Sequence, residues 1–225
     1  MRLNSASPRI RDYTTRQGRR IEYQLTHSVL LGTAELKACV LSGGQSVRMD
    51  QDKALLPHPS HDNWLQHITN LLAAQELPVT VYTRHRQHLA QQHLHPAVSV
   101  ELEPAPWNGP LQALAKVLPH SSQHALLIAP VDMPLLQPSD LQLLRQAWEQ
   151  QPTQAVVADD GQQLQPLLGI YPGGPRMRKA MLEVIEREQG RWMRWLQRIP
   201  HRPVRLPANH LRNCNQPSDL QHLQP

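Results

Sequence analysis

The segment from Leu41 to Leu56 reads LSGGQSVRMDQDKALL and gathers residue types that handle phosphate. Adjacent glycines, here Gly43 and Gly44, let a backbone turn sharply and come close to a ligand, and consecutive amides in such a turn can face phosphate oxygens. Leu41 and Ser42 lead into that turn. Arg48 and Lys53 follow, five residues apart, as two cations able to neutralise a triphosphate and a departing pyrophosphate. The glycine spacing matches neither a Walker loop nor a dinucleotide fingerprint, so neither an ATPase of that type nor a dehydrogenase follows. Asp132 lies just past the apolar run Ala125–Ala129. A carboxylate beyond the carboxyl end of a central strand occupies the crevice where open α/β sheets bind ligands.

The elements that must position these residues follow from hydrophobic patterning. Ala38-Cys39-Val40-Leu41 is a short apolar run stopped by Ser42-Gly43-Gly44, which reads as a buried strand feeding a tight loop. Trp64, Leu65, Ile68, Leu71 and Leu72 recur at helical spacing, and Val79–Thr83 follows as a strand. Further strands are expected at Val98–Val100 and Ala125–Ala129, with helices at Leu111–Val117 and from about Ser139. Ala155–Ala158 and Leu167–Tyr171 read as a hairpin around Asp159-Asp160-Gly161, and Met177–Glu188 and Trp192–Ile199 as helices. Strands alternating with helices predict a doubly wound, mostly parallel, Rossmann-like α/β sheet with helices on both faces and a small antiparallel edge. Residues 1–36 are polar and rich in Arg, Ser, Thr and Gln, and read as a flexible N-terminal extension to a single domain spanning 37–225.

Composition bounds the function classes. Hydrophobic residues make up 40% of the 225 and form no run long enough for a membrane span, so a soluble, membrane-free protein is expected. Cys39 and Cys214 cannot make a disulfide framework, which points to the reducing cytoplasm. The net charge is +5, yet residues 38–174 carry 6 basic and 11 acidic groups while 175–212 carry 10 and 3. A mildly acidic body with a basic C-terminal stretch, and aromatics at only 4%, argue against nucleic acid. His85, His88, His93 and His95 lack the spacing or cysteine partners of a metal motif and read as a surface helix.

The loop segment resembles the signature of the molybdenum cofactor nucleotidyltransferases, approximately LAGGxSxRMGxDKALL. Leu41, Gly43, Gly44, Ser46, Arg48, Met49, Asp52, Lys53, Ala54, Leu55 and Leu56 match it, with Ser42 in place of Ala and Asp50 in place of Gly. Later segments resemble family elements in the same order: Gly109-Pro110-Leu111, Val131-Asp132-Met133-Pro134, Gln165-Pro166-Leu167, Gly190-Arg191, and Asn213 to Leu220, which is close to NxNTPxDL. The resemblance covers about residues 37–223 and implies a nucleotidyltransferase that uses Mg²⁺ held by Asp132, with Arg48, Lys53 and Asp132 catalytic. It puts the nucleotide against Leu41, Ser42, Gly43, Gly44, Lys53, Tyr82, Asp132 and a carboxylate at Glu101, with Glu103 as the rival register. Arg191, Asn213 and Asn215 would face the pterin substrate. The loop is closer to the guanylyl than to the cytidylyl members, so the implied partners are GTP, the molybdopterin substrate, and molybdoenzymes or other proteins of cofactor biosynthesis. A cytidylyltransferase, another nucleotidyltransferase and a nucleotide-binding protein without turnover stay open.

Overall fold

A computed structural model of the protein describes residues 34–44, 51–91, 94–187 and 191–215, together with Asp219. Most of the expected extension, as well as Arg48, Asp50, His93 and Gly190, lies outside the described residues. The chain runs β1 (Glu35–Leu41), α1 (Trp64–Ala73), β2 (Val79–Thr83), β3 (Val98–Leu102), α2 (Pro110–Val117), β4 (His124–Pro130), α3 (Pro138–Gln150), β5 (Ala155–Asp159), β6 (Leu164–Pro172), α4 (Pro175–Arg187), α5 (Trp192–Leu196) and β7 (His201–Arg205). Among the described residues these strands form one seven-stranded sheet in the order β3-β2-β1-β4-β6-β5-β7.

The sheet is doubly wound because successive side chains of a strand point to opposite faces. Ala38 and Val40 of β1 pack into one core with Leu65, Ile68 and Leu72 of α1 and Leu141, Leu144 and Trp148 of α3. Cys39, between them in sequence, enters the other core with Leu111 and Leu114 of α2, Met177 and Met181 of α4, and Trp192 and Trp195 of α5. With a helix on each face, the central strands are buried on both sides, which explains their unbroken apolar runs. Leu65, Leu72 and Leu111 are essentially without solvent contact, and burial of each such side chain contributes about 1.5–3 kcal/mol.

β1, β2, β3 and β4 pair in parallel, whereas β6 runs antiparallel to both β4 and β5. The antiparallel component therefore sits inside the sheet as one long strand and not at its rim. Leu168 and Ile170 of β6 enter one core and Tyr171 the other, so the strand is apolar on both faces and suits an interior position. The rim on that side is β7, which the sequence reading ran past: Pro203 in its middle has no amide hydrogen to give a second neighbour, and among the described residues β7 pairs only with β5. Its residues are half-buried or exposed. Among the described residues no helix is long and apolar enough to cross a membrane.

Sheet order fixes where a ligand can sit. From β1 the chain crosses to β2 on one side and later returns to β4 on the other, so the crevice opens at the carboxyl ends of β1 and β4. Leu41 and Pro130, the last residues of those strands, are paired neighbours. The loops that leave them carry Ser42–Gly44 and Val131–Asp132.

Candidate active site

A cleft of about 520 Å³ occupies that crevice. One wall is the glycine loop, anchored at its base by Ser42 N–H donating to the Tyr82 carbonyl at 2.9 Å and by Thr83 Oγ1 donating to the Ser42 carbonyl at 2.9 Å. The His85 ring bonds the Gly44 carbonyl at 2.9 Å. A Cβ on Gly43 would lie 3.2 Å from Glu103 Oε2, so the missing side chain is what lets the loop close against the opposite wall. Glu103 itself is buried, two residues beyond Glu101 on the same face of the strand and its extension. Lys116 Nζ holds its Oε1 at 3.1 Å and also donates to the Pro104 carbonyl at 2.8 Å. Trp107 Nε1 donates to the Glu103 carbonyl at 3.0 Å, and the Arg84 guanidinium lies 5.6 Å from the centre of the Trp107 ring.

The floor is charged. Asp52 N-caps the short 3₁₀ turn Lys53–Leu55 by accepting from Ala54 N–H, and its Oδ2 accepts from Gln87 at 2.6 Å and His88 at 2.8 Å. Burial works against ionisation of Asp52, but the His88, Gln87 and Ala54 bonds outweigh it and hold the carboxyl at about 2. The turn directs Lys53 into the cleft, where its Nζ donates to Asn215 Oδ1 at 2.5 Å and lies 3.5 Å from Asp132 Oδ2. Lys53 is only 13% exposed and Asp132 25%. Burial pushes the Asp132 carboxyl up and Lys53 opposes the rise. Asn215 comes from the far end of the domain, held there by Cys214, which packs against Leu56, Trp64 and Val131 and donates its N–H to the Asp132 carbonyl.

A family model described as the MobA-like NTP transferase domain matches residues 38–203. A probable molybdenum cofactor guanylyltransferase from Rhodopirellula baltica is 38% identical over 191 residues, covering 82% of this chain and 90% of that protein. The chain belongs to the MobA-like NTP transferase family. As a member of that family it is a nucleotidyltransferase. A second relative, a probable molybdenum cofactor guanylyltransferase from Synechococcus elongatus, is 31% identical over 83% of this chain and 97% of that protein. Among solved structures, molybdopterin-guanine dinucleotide biosynthesis protein A from Archaeoglobus fulgidus is similar with a TM-score of 0.64 at 17% identity, over 83% of this chain and 96% of that one. CMP:2-keto-3-deoxy-manno-octonic acid synthetase complexed with CTP shares the fold at a TM-score of 0.62 and 14% identity, over 84% and 96% of the two chains. Fold alone therefore does not select the base.

This MobA-like transferase brings Leu41, Ser42, Gly43, Gly44, Lys53, Tyr82 and Asp132 to one cleft. Asn215 joins them through Lys53. Glu101 is exposed on β3, opposite Tyr82, and does not line the cleft, whereas Glu103 does. The strand runs past Val100 to Leu102, and Glu103, just beyond its end, is held at the cleft by Lys116. Arg191 is exposed at the start of α5 and Asn213 bonds Gln165 at 3.5 Å; neither lines the cleft. His88, expected on a surface helix, is fully buried as the Asp52 partner. Sequence reading passed over Arg84, Trp107 and Lys116, whose only local signal is that they flank strand ends and the Gly109-Pro110 helix start. Gly109 has φ +97° and ψ 174°, a conformation essentially confined to glycine, and Pro110 then opens α2 with its fixed φ.

Proposed function

We propose that this MobA-like transferase moves GMP from GTP onto the terminal phosphate of molybdenum-loaded molybdopterin, releasing pyrophosphate. The observation that carries this reading is the meeting of Lys53 with Asp132 and Asn215 beside the glycine loop, in a chain whose named relatives are guanylyltransferases. An ionised phosphate oxygen of the acceptor attacks the α-phosphorus in line, and the new P–O bond forms as the α–β phosphoanhydride bond breaks. The bonding electron pair leaves with pyrophosphate. Because a phosphate monoester is largely dianionic at neutral pH, no side chain has to take a proton from the nucleophile. Positioning and charge then dominate the catalysis.

Lys53 stabilises the charge that builds on the departing pyrophosphate, and the backbone amides of Gly43 and Gly44 cradle the phosphates. Arg48 supplies a second cation from the same loop. Asp132 suits Mg²⁺: it is a hard oxygen donor at the cleft, and among the described residues its carboxylate has one side-chain partner, Lys53 at 3.5 Å. Bound there, Mg²⁺ supplies charge neutralisation across the reacting phosphates. Glu103 takes the base-recognition role, since a carboxylate presents two acceptors to the N1–H and N2–H donors of guanine. Asn215, on the C-terminal segment beside Lys53, is assigned to the acceptor.

Mass spectrometry of the products made from molybdenum-loaded molybdopterin, Mg²⁺ and either GTP or CTP tests the reading. A guanine dinucleotide supports it. A cytosine dinucleotide overturns the role given to Glu103, and the absence of product with both nucleotides, beside an active control enzyme, overturns the activity.

A further inference from the structure

Outside the cleft, a turn and a helix place three imidazoles against one another. His58 and His61 close the turn that follows the Lys53 segment, joined by a short antiparallel bridge, and His67 projects from the first half of α1. His61 Nδ1 lies 3.4 Å from His58 Nδ1 and 3.3 Å from His67 Nδ1. One ring nitrogen from each of the three falls within 4.8 Å of the others. His58 and His67 stack at 3.9 Å with their rings 13° apart.

Hydrogen bonding leaves one nitrogen of this arrangement, His67 Nε2, unsatisfied among the described residues. That nitrogen is buried. His58 Nε2 donates to the Pro134 carbonyl at 3.1 Å, a group that can only accept, which leaves Nδ1 as the acceptor nitrogen of the ring. Ser60 N–H reaches that Nδ1 from the exposed turn at 3.1 Å.

Three imidazole nitrogens within 4.8 Å of one another are a donor set suited to a transition-metal ion. Two nitrogens bound at about 2.0–2.1 Å to a tetrahedral zinc ion are separated by about 3.3–3.4 Å, the spacing that His61 keeps from both neighbours. The Pro134 carbonyl already supplies the outer hydrogen bond that fixes the tautomer of a ligating His58. Nitrogen-only donors select zinc and its neighbours over magnesium or calcium. His58 and His61 are half-exposed, which leaves the fourth position to water.

We propose that His58, His61 and His67 bind one zinc-class transition-metal ion, separate from the Asp132 carboxylate. The ion ties three pieces together: the turn that continues the Lys53 segment, the helix α1, and, through Pro134, the loop that carries Asp132. It is a structural staple under the cleft floor.

The test uses the full chain stripped with a chelator and titrated with Co²⁺, whose visible absorption reports tetrahedral nitrogen coordination, followed by competition with Zn²⁺. The expected result is a band that saturates at a single equivalent, is displaced by zinc and is untouched by excess Mg²⁺. His61→Ala and His58→Ala, both in the half-exposed turn and checked for folding by circular dichroism, are expected to weaken binding at least about tenfold. Asp132→Asn is expected to keep the band, and zinc to raise the Tm of the unaltered chain but not of His61→Ala. The proposal is overturned if the unaltered chain gives no band, if both histidine variants bind as tightly as it does, or if Asp132→Asn abolishes the band.

Discussion

Lys53 Nζ donates to Asn215 Oδ1 at 2.5 Å across 162 residues of sequence. The bond joins the Lys53–Leu55 turn to the last described stretch of the domain and aims the ammonium at Asp132. Lys53→Ala is expected to lower kcat at least about tenfold, equivalent to about 1.4 kcal/mol of transition-state stabilisation. Asn215→Ala keeps the charge but loosens its aim, and a smaller fall of about threefold to tenfold is expected. Steady-state rates of pyrophosphate release measure both. Unchanged turnover in Lys53→Ala removes the leaving-group role.

The role proposed for Glu103 separates base recognition from phosphate chemistry. Glu103→Gln puts an amide NH₂ where guanine needs an acceptor, so kcat/KM for GTP is expected to fall about 10–100-fold, chiefly through KM. Glu101→Gln, on the exposed part of β3, is expected to leave it within about twofold. The reverse ranking would return the base contact to Glu101.

The Asp52–His88 contact sets an acid limit to stability. Asp52 has a folded value of about 2 against an ordinary 3.8. A lowered folded value means the stabilisation is complete above about 4 and is lost as pH falls from there through about 2. The difference corresponds to about 2 kcal/mol. Asp52→Asn is therefore expected to melt about 4–8 °C lower at pH 7. Thermal melts of the two proteins should converge as the pH drops below about 3.

Gly109 turns the chain into α2 at φ +97°, where an added Cβ is strained even though open space surrounds it. Gly109→Ala is expected to cost about 1–3 kcal/mol, at about 2–4 °C of Tm per kcal/mol. Differential scanning calorimetry reads the loss. An unchanged Tm means that the loop relaxes to a negative φ.

Much of the fold was legible because parallel strands buried on both faces leave unbroken apolar runs, as at Ala38–Leu41 and Ala125–Ala129. β7 was not, since Pro203 breaks the pattern that marks a strand, and only the pairing with β5 reveals it. The cleft residues that end strands or open helices, such as Ser42, Asp132 and Gly109, announce themselves through turn chemistry. Glu103 did not separate from Glu101, because the two share a face and the choice depends on where β3 stops. Arg191 drew its expected role from a matching dipeptide, while its place at the start of α5 keeps it out of the cleft lining. The three histidines escaped notice because His58 and His61 lie in a turn and His67 on a helix, a spacing that no local periodicity links.

The same Lys53–Asn215 bond has a meaning for biosynthesis on the ribosome. A growing polypeptide exposes its glycine loop, Lys53 and then Asp132 while the stretch that carries Cys214 and Asn215 is still to be made. Leu56, Trp64 and Val131 wait for Cys214 to cover them. Until that stretch has emerged the ammonium lacks its Asn215 partner, so the charge arrangement of the cleft is completed after translation of the sheet is over.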